Sequence, residues 1–298
     1  MPRSATGWVS RWLSLLTASG HTMTILRLSL MSVVLLVAAV SSEVCAQEMR
    51  VYTTVKNLAS PGQNEIVARS LTLFHAGKVY DYVDSAKEVT VYEPGQHRFT
   101  LLSERRSLQA EVAQSEVRQF LNLAKQEAQK RLEAADEQIG PSQVRSLAWL
   151  KFQLRPEFSI SFDKSKSELL LLGNNCRYEA NGVAPPSVEV AETYLRFADA
   201  MAELNSVLHP RAMLPAPRLK LNEELRQRAL LPVSVELRAE LDRPLWLQAR
   251  HEWTWKFSSS DRELISKWER ELADPTVRKV SFRQYQHDSL SAEVAKRK

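Results

Sequence analysis

The sequence predicts an α+β fold organised on an antiparallel sheet. Three observations carry that reading. Short β-rich runs follow one another with turn signals between them over residues 49–112. Helical periodicity comes in separate blocks and does not follow each strand. The longest alternating stretch, 233–257, doubles back at Arg243-Pro244. Runs of strands broken by a few helices favour antiparallel pairing, because a parallel sheet needs a crossover after every strand.

The first half reads as a meander. Val51, Thr53 and Val55 alternate with Tyr52, Thr54 and Lys56, and Val67, Arg69, Leu71 and Leu73 alternate with Ala68, Ser70, Thr72 and Phe74. Ala76-Gly77-Lys78 turns the chain into Val79–Val83, a charged turn leads to Val89–Tyr92, and Pro94-Gly95 precedes Phe99–Leu102. A strand near 108–112 closes the set. Turn residues between runs of this length mark antiparallel hairpins. Ser115 can then cap a helix in which Val117, Phe120, Leu121, Ala124, Ala128, Leu132 and Ala135 recur at three- and four-residue steps, ended by Gly140-Pro141. Its other face carries Arg118, Lys125, Gln129 and Glu133, so it packs on one side only. A short helix is expected around 144–150.

In the second half, Phe158, Ile160 and Phe162 alternate with Ser159, Ser161 and Asp163. Leu169–Leu172, four leucines in a row, suits a strand buried on both faces. Asn174-Asn175 turns into a strand through 177–179, and Asn181-Gly182 reads as another turn. Pro185-Pro186-Ser187 introduces a helix with Val190, Tyr194, Phe197, Met201, Leu204 and Leu208 on one face, stopped by His209-Pro210. Prolines at 210, 215 and 217 mark 210–218 as a linker or extended wrap, and a short helix follows over 223–230. Val233, Val235, Leu237, Ala239 and Leu241 then share one face of a strand. After the turn, Leu245, Leu247, Ala249, His251, Trp253, Trp255 and Phe257 share one face against Gln248, Arg250, Glu252, Thr254 and Lys256. Ser260-Asp-Arg-Glu263 reads as a capping box opening a helix with Leu264, Ile265, Trp268 and Leu272, which Asp274-Pro275 ends. Val277–Tyr285 is the last expected strand.

Met23–Ala46 reads as a secretory signal peptide. Met23-Thr-Ile-Leu-Arg27 is a basic start, Leu28–Val40 an apolar run, and Val44 and Ala46 occupy the small-residue positions before Gln47. The run is shorter than the about 20 residues a membrane span needs. Cleavage after Ala46 and a periplasmic or secreted protein, with peripheral membrane contact at most, are therefore expected. Two alternatives stand beside this: a retained N-terminal anchor, and a lipoprotein signal at Cys45, although Val44 stands where that processing takes a small residue. Residues 1–22 fit an extended n-region or a start-site overcall.

Without residues 1–46, which hold three arginines and one glutamate, 252 residues with a net charge of +3 remain. They are read as a single domain, 47–290, with 210–218 the only candidate sub-boundary, followed by a basic tail, 291–298. Charges of both signs are interspersed, so no electrostatic footprint for nucleic acid is present. Cys176 is the single cysteine left, so packing and not an internal disulfide must hold the core.

The sequence contains no glycine-rich phosphate loop, His-Glu-x-x-His pair, paired cysteines or Gly-x-Ser-x-Gly elbow. After residue 46 the histidines His75, His97, His209, His251 and His287 are all far apart, so no metal and no cofactor is expected. His251 lies on the apolar face of its strand between Ala249 and Trp253. It is either a satisfied histidine at the core edge or a polar group set inside an apolar cavity. Trp253, Trp255 and Phe257, faced by Phe158 and Phe162, form the candidate ligand surface. They are ordinary core if helices cover the sheet face, and a cavity lining if helices do not.

The segments Arg69-Ser-Leu-Thr-Leu-Phe-His-Ala-Gly-Lys-Val-Tyr-Asp-Tyr82 and Val89-Thr-Val-Tyr-Glu-Pro94 sit in a meander behind an export signal. Over residues about 49–112, with the later hairpin compatible, this layout resembles the bacterial envelope carriers of the lipoprotein-carrier type. The resemblance implies a curved, half-barrel-like sheet that cups helices around a hydrophobic cavity for acyl chains. It assigns no ligand residue here, and the helical, proline-rich stretch 186–232 exceeds a minimal carrier. The expected function is a non-enzymatic exported protein that binds a lipid, another hydrophobic ligand or a lipidated partner in a sheet-helix cavity. The site residues expected for it are His251, Trp253, Trp255, Phe257, Phe158 and Phe162. Two other readings remain: a structural or protein-interaction module of the envelope, and an extracytoplasmic hydrolase using His251 with a nearby carboxylate.

Overall fold

The computed structural model describes residues 48–59, 65–134, 140–209, 212–240 and 244–295, within one compact unit, Ala46–Lys298. The expected signal peptide, residues 1–22 and the last three residues of the basic tail lie outside the described residues. A meander opens the unit: β1 (Met49–Asn57), β2 (Glu65–His75), β3 (Lys78–Val83), β4 (Glu88–Glu93), β5 (Arg98–Ser103) and β6 (Leu108–Ala113). Two helices follow, α1 (Gln114–Glu133) and α2 (Pro141–Leu154). A second meander contains β7 (Ser159–Asp163), β8 (Glu168–Leu172) and β9 (Cys176–Val183). It is interrupted by α3 (Val188–Leu208) and α4 (Ala216–Gln227), and then resumes with β10 (Leu231–Ala239) and β11 (Leu245–Thr254). The chain ends with α5 (Ser259–Ala273), β12 (Arg278–Lys279) and α6 (Phe282–Ala295).

The two meanders join through β1 and β11, antiparallel from Arg50↔Thr254 to Asn57↔Leu247. The result is one open, curved sheet of twelve strands, ordered β12-β6-β5-β4-β3-β2-β1-β11-β10-β9-β8-β7. Among the described strands only β12 pairs in parallel, with β6. The α+β class and the antiparallel sheet are as the sequence predicts. Because β10 and β11 return to the same sheet between β9 and β1, the 210–218 stretch does not start a separate sheet.

The register places Val51, Thr53 and Val55 of β1 on one face with Thr72 and Phe74 of β2 and with Trp253, His251 and Ala249 of β11. This inner face packs against Val117 and Leu121 of α1, Tyr194, Phe197 and Leu204 of α3, and Leu221 and Leu225 of α4. The opposite face of β2–β5 buries Leu73, Tyr80, Val89, Val91 and Leu102 against Ile265 and Trp268 of α5. Strands covered on both sides need apolar residues at successive positions. Leu73-Phe74, Val79-Tyr80 and Leu101-Leu102 are such pairs, all buried.

Several expectations are corrected. Leu169 and Leu171 are fully buried but Leu172 is 41% exposed, so β8 is covered on one face only and its leucine run does not mark a central strand. Asn181-Gly182 is not a turn but part of β9. Gly182 sits where the register to β10 shifts, and a Cβ there would come 3.0 Å from Leu230 Cβ, so a side chain would force Leu230 to give way. The α1 helix stops at Glu133, before Gly140-Pro141, and α2 is longer than the expected 144–150. Within 210–218 the chain already enters α4, with Pro217 in the first turn, where a missing N–H costs nothing.

The capping box of α5 is Ser258 with Asp261, two residues before the predicted one: Ser258 Oγ accepts from the Asp261 amide (3.2 Å) and the Asp261 carboxylate accepts from the Ser258 amide (2.8 Å). Asp261 also accepts from Arg50 Nε at 3.2 Å, which ties α5 to β1. The expected strand 277–285 is only β12; the rest is α6, which runs into the predicted basic tail as far as Ala295. Phe282 and Tyr285, three residues apart and both buried, mark its covered face, a helical spacing that in a strand would put the two on opposite faces. Cys176 opens β9 buried, and burial pushes its thiol up to about 12, so it is a protonated packing group at neutral pH.

Candidate functional site

A polar row crosses the otherwise apolar inner face. The hairpin at Ala76-Gly77, where Gly77 supplies a φ of +75°, sets Asp81 of β3 opposite Thr72 of β2. The flanking pairings set Thr53 of β1 opposite Ser70 on one side and His251 of β11 on the other. Thr72 Oγ1 donates to Asp81 Oδ1 at 2.7 Å, and Thr53 Oγ1 lies 2.9 Å from His251 Nδ1. Tyr194, Met201 and Asn205 of α3 and Arg218 of α4 complete a polar compartment of about 270 Å³ over this row.

The electrostatics of the row follow from burial. Desolvation pushes the Asp81 carboxyl up to about 6, against the lowering effect of the Thr72 hydrogen bond. Desolvation, helped by the positive charge of Arg218, pulls His251 down to about 3, so its imidazole is neutral at physiological pH. His251 is 8% exposed, and its Nε2 is buried with no hydrogen-bond partner. The Thr53–His251 contact has the layout of a hydroxyl nucleophile and its base. A histidine this hard to protonate is a weak base, however, and no carboxylate among the described residues orients the second ring nitrogen.

A second compartment of about 510 Å³ adjoins the first and shares Ala202, Asn205 and Arg218 with it. Its sheet side is apolar: Val55, Val235, Leu237, Leu245, Leu247 and Ala249. Met213, Leu214 and Pro215, in the connection between α3 and α4, line it from the helical side. The space exists because small side chains meet at its centre. Ala249 pairs with Val55 on one side and Val235 on the other, and Ala202 comes from α3. The proline-rich stretch that reads as a linker is therefore part of the wall.

Of the six predicted site residues, His251 lines a compartment. Trp253 packs edge-on against Tyr194 with ring centroids 4.7 Å apart, and its Nε1 donates to the Pro232 carbonyl at 2.9 Å. Trp255 stacks on Trp253 and is 39% exposed. Phe257 does not share their face. β11 ends at Thr254, and the chain carries Phe257 into the cluster beneath α5, beside His75 and Arg262. Phe158 packs on Phe152 and Tyr178, and Phe162 lies under the Arg228 guanidinium; neither is among the residues lining the two compartments. The predicted aromatic strip is thus not one surface: Trp253, Phe158 and Phe162 pack at different places against the main core, and Phe257 belongs to the cluster beneath α5.

The residues that sequence reasoning missed are Thr53, Thr72, Asp81, Asn205 and Arg218. One signal was available: once the Gly77 hairpin is closed by a two-residue turn, Thr72 must oppose Asp81 on the same face as Phe74. Nothing local marks Arg218 or Asn205.

Among the described residues no group of three or more His, Cys, Asp or Glu is placed to hold a metal ion, and no helix is long and apolar enough to cross a membrane. No protein-family model matches the chain, and neither does any curated protein.

Proposed function

We propose that this chain is an exported, non-enzymatic binding protein that holds a lipid, or the acyl chain of a lipidated partner, between the sheet and α3. One observation carries this: the apolar compartment of about 510 Å³ on a sheet face that would otherwise be filled core. Its volume falls in the roughly 300–1,000 Å³ range of small-molecule sites, and its walls are apolar with a few polar groups at one end. The order of charges, apolar run and small residues in Met23–Ala46 supports export. The weakly basic His251 and the absence of an orienting carboxylate favour binding over hydrolysis.

The test is an alkyl-chain series. Protein purified from its native envelope, with Gln47 at its N-terminus, is extracted and the released lipid identified by mass spectrometry. The stripped protein is then titrated with single-chain amphiphiles of 8 to 16 carbons by displacement of a fluorescent probe. Each buried methylene contributes about 0.8 kcal/mol, so affinity should rise about fourfold per carbon until the compartment is full, then level off. Ala249→Phe projects a ring into the compartment and should lower affinity at least tenfold without lowering stability. No extracted lipid together with no chain-length dependence would overturn the proposal.

A further inference from the structure

Arg218 stands at the junction of the two compartments and lines both. Its Nε donates to Asn222 Oδ1 at 3.0 Å. Asn222 in turn donates to Asp199 at 2.7 Å, and Asp199 already accepts from Arg226 at 2.6 Å. The acid nearest in this network is therefore paired with another arginine. Among the described residues Arg218 has no ion-pair partner, and no hydrogen bond uses its two Nη groups. The guanidinium is held by one edge, and its remaining donors are free for a ligand.

His251 lines the same compartment, but its Nε2, which has no partner in the protein, is buried away from the open space, so Arg218 supplies the free donors there. Asp81 limits how much negative charge the compartment accepts. Among the described residues it has no cation partner, and because burial raises its carboxyl to about 6, one incoming anion can be accommodated by proton uptake, whereas a dianion would meet stronger repulsion.

We infer that the ligand is a single-chain amphiphile with a carboxylate head, which accepts hydrogen bonds from Arg218 in the polar compartment while its alkyl chain lies in the apolar one. This rests on the binding function proposed above and adds the chemistry of the head. A planar guanidinium offers two parallel N–H groups that match the two oxygens of a carboxylate, and a single such cation balances a single charge. The shared wall at Ala202, Asn205 and Arg218 places head and chain in adjoining spaces.

The experiment compares four ligands of equal chain length on the stripped full chain at pH 7.5: decanoate, decanol, decyltrimethylammonium and decyl phosphate. Decanoate should bind at least tenfold more tightly than decanol and decyltrimethylammonium, and more tightly than decyl phosphate. Arg218→Gln should lower decanoate affinity about tenfold or more and leave decanol affinity unchanged, while Arg250→Gln, on the other face of the sheet, should change neither. Equal affinity for decanoate and decanol would overturn the head-group assignment and leave the apolar binding function standing. Tighter binding of decyl phosphate would overturn the carboxylate. If none of the four binds, the binding function itself fails and this assignment with it. The head-group comparison on the unaltered protein decides the matter even if Arg218→Gln does not fold.

Discussion

Replacing His251 by Gln and Asp81 by Asn should split the stability profile between pH 7 and pH 4 in opposite directions. His251 sits near 3 in the native protein against an ordinary 6.5. As pH falls through 6.5 the unfolded chain takes a proton that the native imidazole refuses, so stability is lost on acidification. The loss is about 2 kcal/mol by pH 5 and about 3 kcal/mol by pH 4. Asp81 works the other way. Its native value is about 6 against an ordinary 3.8, so the native state keeps a proton that the unfolded chain releases. Its stabilising contribution is complete below 3.8 and is lost as pH rises to 6. Asp81 keeps some contact with solvent, so the size of that effect is about 2 kcal/mol. In the unaltered protein the two contributions nearly cancel over this window. His251→Gln leaves only the Asp81 contribution and should gain about 2 kcal/mol from pH 7 to pH 4 relative to the parent's other titrations. Asp81→Asn, in which the side-chain carbonyl still accepts from Thr72, leaves only the His251 contribution and should lose about 3 kcal/mol. Urea midpoints at pH 7, 5 and 4 for the parent and both variants provide the check. The background from all other carboxylates is common to the three proteins and drops out of the differences. Three parallel profiles would show that neither group is buried as described.

Trp268→Ala should destabilise the protein by about 4 kcal/mol without touching the ligand compartments. Trp268 is fully buried beneath α5 on the face opposite the polar row. Its ring centroid lies 6.2 Å from Tyr80 and 5.5 Å from Tyr82, and its Nε1 donates to Glu104 at 3.2 Å. Truncation removes the largest side chain in that cluster and leaves a cavity, which for buried Trp→Ala changes costs about 3–5 kcal/mol. Glu104 keeps Lys267 as a partner, so the lost hydrogen bond adds little. The melting temperature should fall by about 10 °C, given about 2–4 °C per kcal/mol for a domain of this size. Trp268→Phe keeps most of the packing and should lose less than half as much. Below the melting transition, alkyl-chain affinity should equal that of the parent. A large loss of affinity in folded Trp268→Ala would mean that the two faces of the sheet are coupled.

Much of the architecture is local information. Period-two alternation in 51–55, 158–162 and 233–253 and the turn residues between runs were enough for the strands, because each side chain's face depends only on its position in the pleat. Helical repeats of three and four did the same for the helices at 114–133 and 188–208. The pattern misled where β-rich composition outweighed spacing. At 277–285 Val277 and Val280 suggest a strand, but Phe282 and Tyr285, three apart, share a face only in a helix, which packs against β6 and α1. At 169–172 four leucines specify a hydrophobic strand but not how many of its faces are covered, since coverage belongs to the neighbours.

Residue order alone was enough for the class of fold, the antiparallel meanders, the lack of an internal disulfide after residue 46, and a histidine on an apolar strand face. The tertiary structure decided what that histidine belongs to. Thr53, Thr72, Asp81, Arg218 and His251 span 198 positions of sequence, far beyond any local window, and they meet only because β1 pairs with β11 and α3 and α4 return over the seam. It also decided that the tryptophans pack on Tyr194 while alanines and valines line the space. A cavity is a difference between the volume enclosed by backbone and the volume of the side chains that face it. The side-chain half of that difference is written in the sequence; the enclosed volume is not.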